Sequence, residues 1–347
     1  MFGKWVNNYY YGKSGKGDFR KDDLPQTRWQ LFWDMLRTRL SGLFRLNLTV
    51  FVAWLPLIIA LGYYITNMMN WLNIVNLYEQ YLATGVLGEE LTQAAVVTLE
   101  NMLQGRDSVQ LLADVLKECV AGFTLWCIPC ILVTGPVQAG LAYVTRNWAR
   151  DEHAFAWSDF KDAVKANWKQ SLVISGITSI IPIIAYTSWN FYGSLASQQG
   201  FFFLIPQMLV ITIALVWMLS LVFMYPIIVS YEVKTLALIK DGLMLAIARL
   251  PQTVGIRLVM LLPALIAVLV FWFTGSVLSL LVLGGYYILI GFTLARFVYA
   301  SFTNGVFDKY INIHMEGVQV NRGLSTDADD DEEDEDGENA PGNTLSE

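Results

Sequence analysis

The sequence predicts an all-α integral membrane bundle of six transmembrane helices with cytoplasmic interfacial helices, organised as three repeated helical hairpins. Three observations predict it. Hydrophobic residues make up 55% of the 347 and charged residues only 15%, with a mean hydropathy of +0.44, a bilayer composition rather than that of a soluble domain. Six apolar runs, at about 43–69, 119–144, 171–192, 201–230, 256–273 and 277–302, match the roughly 20 residues that cross a hydrocarbon core as a helix. Lys and Arg collect between alternate runs: 21 of the 23 fall on one side, and only Arg106 and Lys117 on the other. Because basic residues stay cytoplasmic, both termini are expected inside.

Taken in order, residues 1–28 form a cytoplasmic segment that mixes Gly, Lys, Asp and Tyr without helical periodicity and lacks a signal-peptide core. From Trp29 an interfacial helix is expected, with Phe32, Met35, Leu36, Leu40 and Leu43 on one face, turning afterwards into the first span. The offsets of Phe32, Met35, Leu36 and Leu40 return at Phe160, Ala163, Val164 and Trp168, and again at Ile239, Gly242, Leu243 and Ile247. Asp34, Asp162 and Asp241 each stand two residues after the first apolar position. Each copy precedes an outward span, which gives the three hairpins.

The membrane domain covers 29–310 and carries an extracytoplasmic helical insert at about 70–118, since an irregular stretch of that length is uncommon. One stripe there is Leu91, Ala95, Thr98 or Leu99, and Met102, with Gly105 as the stop; a second is Val109, Leu112, Leu116 and Cys119. Seven acidic residues make this face negative. Residues 311–347 form a disordered acidic cytoplasmic tail, ten of the twelve residues at 327–338 being Asp or Glu.

The densest signal is the turn between the second and third spans. Gly135 and Pro136 close one run; Arg146 and Arg150 make the turn basic; Trp157, Ser158, Asp159 and Phe160 read as a helix start, with Ser158 or Asp159 capping the first turn and the rings of Trp157 and Phe160 buried against span ends. Asn167, Trp168, Lys169 and Ser171 open the next run. Residues 135–171 resemble the YesL family of bacterial polytopic membrane proteins, in which a Gly-Pro near a span end precedes a basic turn, an aromatic-Asp-Phe and an Asn-x-x-x-Ser-like entry to the next span. The resemblance implies a bacterial plasma membrane location, no settled activity and an association with carbohydrate-uptake genes.

Motifs for chemistry are sparse. Cys127 and Cys130, in Trp126-Cys127-Ile128-Pro129-Cys130, resemble a thioredoxin-like centre, but they lie deep in an apolar run where a thiolate is costly. Glu232, Asp241-Gly242 and Leu250-Pro251 follow the order of an ABC permease coupling helix without its spacing. His153 and His314 lack ligand partners at zinc spacing, and Gly12-Lys13-Ser14 lacks the upstream glycine of a phosphate loop. No cofactor, metal or nucleic-acid partner is expected. No span carries an ionisable residue near its middle, and Arg296 is placed at an inner end. The leading expectation is a non-enzymatic accessory or interaction component, whose partners are the lipid bilayer and, following the resemblance, a membrane transport complex. The alternatives are a facilitator or transporter for a small solute such as a sugar, and a thiol oxidoreductase through Cys127 and Cys130. The candidate structural or interaction residues are Gly135, Pro136, Trp157, Asp159, Phe160, Asn167, Trp168 and Lys169.

Overall fold

The computed structural model describes residues 25–86 and 92–324, and no strand occurs among them. The helices are α1 (Arg28–Thr84), α2 (Gln93–Leu103), α3 (Ser108–Ala149), α4 (Ser158–Gln199), α5 (Leu204–Ser230), α6 (Thr235–Ala248), α7 (Leu250–Thr274), α8 (Leu278–Tyr286) and α9 (Phe292–Tyr310). A π-helical turn at Tyr287–Gly291 joins the last two. Among the described residues six helical runs are long and apolar enough to cross a membrane: α1, α3, α4, α5 with the short turn before it, α7, and the α8–α9 run. The chain is a multi-pass membrane bundle. The acidic run at 327–338, most of the N-terminal segment and Leu91 lie outside the described residues.

Helix continuity departs from expectation. Thr27 opens α1 with a capping box, its side chain accepting from the Gln30 backbone while Gln30 reaches back. No break then interrupts 57 residues, until Gly85 takes the left-handed conformation at φ 69°. At 1.5 Å per residue α1 is about 85 Å long, well beyond a bilayer core of about 30 Å. The expected interfacial helix, first span and start of the insert are therefore one rod. The second interfacial helix is likewise the first turns of α4. Only the third stands alone, as α6, where Arg249 leaves helical geometry and Pro251 restarts the chain as α7. The repeated offsets keep a common pattern of exposure. The second position is buried in every copy, at Met35, Ala163 and Gly242, and the fourth is exposed in every copy, at Leu40, Trp168 and Ile247.

The described part of the insert consists of the end of α1, all of α2 and the start of α3. Helix α2 packs Val96, Leu99 and Leu103 against Val75 and Tyr78 of α1 and Leu111 of α3. The expected stripes hold in part: Leu99 and Cys119 are buried and Ala95 and Leu112 pack against this cluster, whereas Met102, Val109 and Leu116 are exposed and Leu111 and Val115 complete the inward face of α3. The stop was placed within one residue, since Gln104 and Gly105 both have positive φ.

Two apolar clusters hold the bundle together, both toward the end that carries the basic bend. One centres on Val222, Phe223, Met224 and Ile227 of α5 with Ile174, Leu238 and Phe307. The other joins Leu43, Leu46 and Val50 of α1 to Leu141 and Val144 of α3 and Phe297 and Ala300 of α9. Helix α7 contrasts with both, since only Thr253 and Ala267 of it are buried.

Candidate functional site

The tightest interface joins α3 to α4, and small residues create it. A Cβ on Gly135 would lie 2.2 Å from Ser175 Oγ and 2.5 Å from the Ser171 carbonyl oxygen; one on Gly140 would lie 2.8 Å from the Phe160 carbonyl oxygen. Backbones that approach so closely are characteristic of membrane helix pairs built on small residues. Pro136 has no N–H, which leaves the Leu132 carbonyl without its helical donor. Ser175 Oγ donates to that carbonyl at 2.8 Å from the neighbouring helix. Gly135 and Pro136 thus belong to the packing of the hairpin.

The bend between these helices is closed by side chains. Trp148 Nε1 donates to the Ala154 carbonyl at 2.9 Å, and its ring covers α1 where a Cβ on Gly42 would approach within 2.8 Å. Asp159 does not cap α4 as expected. Its Oδ2 accepts from the Phe155 backbone N–H at 2.9 Å, so it ties the helix back to the incoming bend, and the N-cap, Trp157, provides no side-chain hydrogen bond. Phe160 is buried, as expected, but Trp157 is 56% exposed and only stacks its ring 6.2 Å from that of Phe160. The difference follows from the helix start: Phe160 faces Gly140, where there is room, whereas Trp157 stands before the first turn. Asn167 donates to the Ala163 carbonyl within α4.

The remaining predicted residues form an outward stripe. Trp157, Lys161, Lys165, Trp168 and Lys169 recur at the spacing of one helical face, and all are exposed. The ammonium of Lys161 lies 5.2 Å from the Trp157 ring and that of Lys169 lies 5.7 Å from the Trp168 ring, within cation–π reach. A cleft of about 460 Å³ between α1 and the bend adjoins this stripe, lined by Arg45, Thr49, Phe155, Trp157 and Ser158 among others.

Sequence reasoning missed the polar network beside the bend. Residues 311–324, expected to open the tail, pack back onto the bundle. Arg28 pairs with buried Asp308 at 2.7 Å and also donates to Asn321. Asp308 accepts from the Asn321 backbone and from Asn312, whose Oδ1 accepts from Tyr231 at 2.7 Å. Burial, opposed in part by the Arg146 charge, pushes the Tyr231 phenol up to about 12, so it remains a donor across the ordinary pH range. Arg150 and Arg322 share Glu152, and Arg150 also donates to the Gln319 carbonyl. The start of α1, the bend, the end of α5 and the segment after α9 are thereby locked together.

Three more polar sites lie inside the bundle. Cys127 and Cys130 are free and buried. Asn47, fully buried, plugs the π-helical turn: its amide donates to the carbonyls of Tyr287 and Ile288, and its oxygen accepts from Thr293 N–H at 3.0 Å. A π-turn leaves such groups unpaired unless a neighbour supplies partners. Arg296, placed by sequence at a span end, turns into the bundle. Its Nε donates to Gln138 at 2.7 Å, and its guanidinium carbon lies 4.7 Å from the Tyr225 ring centre. No cluster of His, Cys, Asp or Glu suited to a metal occurs among the described residues.

Residues 119–189, about a fifth of the chain, match the family described as Protein of unknown function, DUF624. The matched stretch covers most of α3 and α4, the bend and the Trp–Lys stripe. No curated protein and no solved structure matches.

Proposed function

We propose that the chain is a multi-pass protein of the bacterial plasma membrane, with both termini cytoplasmic, that acts without catalysis of its own. It serves as an interaction component of a membrane transport system, in the setting of carbohydrate uptake that its YesL-like resemblance implies. The DUF624 match to the α3–α4 hairpin supports that resemblance, and the crowding of Lys and Arg at the end bearing the bend supports the orientation.

The observation that carries the reading is the stripe of Trp157, Lys161, Lys165, Trp168 and Lys169. Its aromatic and cationic side chains are exposed on a hairpin whose other face is fixed by Gly135, Ser175 and Phe160. Exposed tryptophan rings on a rigid support make a docking surface. Anchoring in lipid headgroups alone is the competing role for the same side chains. Affinity purification from mild detergent separates the two. Trp168→Ala/Lys169→Ala keeps wild-type melting and loses the co-purifying membrane partner if the stripe docks; unchanged partner recovery refutes docking.

A further inference from the structure

A second cation, Arg257 of α7, lies beside Arg296. Its Nη2 donates to the Met218 carbonyl at 2.7 Å, and its guanidinium carbon lies 5.0 Å from the Tyr299 ring centre. Arg296 donates in turn to the Leu221 carbonyl. Met218 and Leu221 are three residues apart on α5, and Arg296 and Tyr299 three apart on α9, so the two guanidiniums are anchored about one helical turn apart on the same pair of helices.

Each guanidinium has five N–H donors. Protein acceptors engage two of those on Arg296 and one on Arg257, and the Nε of Arg257 is buried without a partner. Neither arginine takes part in an ion pair among the described residues. Two like charges among apolar side chains without a carboxylate are costly, and such charges ordinarily pair or face a cavity. The missing counter-charge must come from outside the described chain.

The surroundings indicate its source. Helix α7 joins the bundle near Thr253, Ile256, Arg257 and Met260. Beyond that, Leu258, Leu261, Leu262, Leu265 and Ile266 are all exposed, covering most of its circumference. Gly255, two residues from Arg257, has open space where a side chain would be. The arginines therefore sit where α7 parts from α5 and α9, at a site open sideways to hydrocarbon.

We propose that Arg257 and Arg296 bind the phosphate of an anionic phospholipid, whose acyl chains lie along the apolar flank of α7. Planar guanidiniums hold phosphate oxygens through paired N–H donors. Basic sites between membrane helices near the cytoplasmic leaflet suit such headgroups.

The test is native mass spectrometry of the full-length chain in detergent, equilibrated with equal amounts of phosphatidylglycerol and phosphatidylcholine carrying the same acyl chains. The wild type should retain phosphatidylglycerol with about tenfold preference for at least one site. Arg257→Gln/Arg296→Gln should abolish that preference, and Lys161→Gln/Lys165→Gln/Lys169→Gln should leave it intact. If the arginine double variant does not fold, the wild type and the lysine variant still decide. Equal retention of both lipids by the wild type overturns the proposal, as does loss of preference in the lysine variant. Displacement of the lipid by millimolar inorganic phosphate would overturn the lipid source in favour of a free anion.

Discussion

The Ser175 hydroxyl donates to the Leu132 carbonyl, the one acceptor in α3 that Pro136 leaves without a helical donor. A kink that would expose a polar group to hydrocarbon becomes a cross-link between α3 and α4. Gly135, next to Pro136, provides the space in which the two backbones meet.

A double-mutant cycle measures this coupling. Ser175→Ala should destabilise the detergent-solubilised protein by about 1 kcal/mol, the loss of one hydrogen bond. Pro136→Ala restores an N–H for Leu132, so in that background Ser175→Ala should cost less. Additive costs in thermal or denaturant unfolding would show that the hydroxyl does not compensate for the proline.

The clamp on the π-helical turn should be more sensitive. Asn47→Leu leaves the Tyr287 and Ile288 carbonyls and the Thr293 amide without this partner, and each buried unpaired group costs about 1–3 kcal/mol. The variant should lose several degrees in melting temperature, while Asn47→Gln recovers little because the site is fully enclosed. Wild-type melting of Asn47→Leu would mean that the turn readily reverts to regular α-helix.

At the basic end, Asp308 serves more partners than Arg28 does. Asp308→Ala removes an acceptor from Arg28, Asn312 and the Asn321 backbone together, whereas Arg28→Ala leaves Asp308 its other two donors. Asp308→Ala is expected to cost about 3 kcal/mol, and Arg28→Ala less, because Arg28 is partly exposed. Limited proteolysis should also cut near residues 311–324 faster in Asp308→Ala. Equal effects of the two substitutions would contradict the network.

Orientation is testable with an impermeant thiol reagent, because Cys119, Cys127 and Cys130 are all buried. Ser197→Cys at the exposed end of α4 should label in intact cells, and Lys165→Cys only after permeabilisation. The reverse pattern would invert the topology.

The spans were legible in the sequence because a run of about 20 apolar residues has few other physical outcomes. Helix continuity was not, since an interfacial helix and a span share the same periodicity, and nothing between Arg28 and Thr84 breaks it. Gly135 and Pro136 were singled out, but their partner Ser175 was not. Asp159 was misread because a carboxylate near a helix start can accept either forward or backward, and here it accepts from Phe155. Trp157 was expected inside and faces out. The Arg28–Asp308 pair joins residues 280 positions apart, and no local pattern announces such a contact. Arg296 was placed by its distance from a loop, which says nothing of where its side chain turns.

The central claim is that the outward face of α4 docks a partner. A photo-crosslinking residue at position 168 in living cells tests it, with the same residue at position 265 on α7 as a lipid-facing control. The account predicts a discrete protein adduct from 168, the same protein in every preparation, and none from 265. No adduct at 168, or the same adduct from both positions, would contradict it.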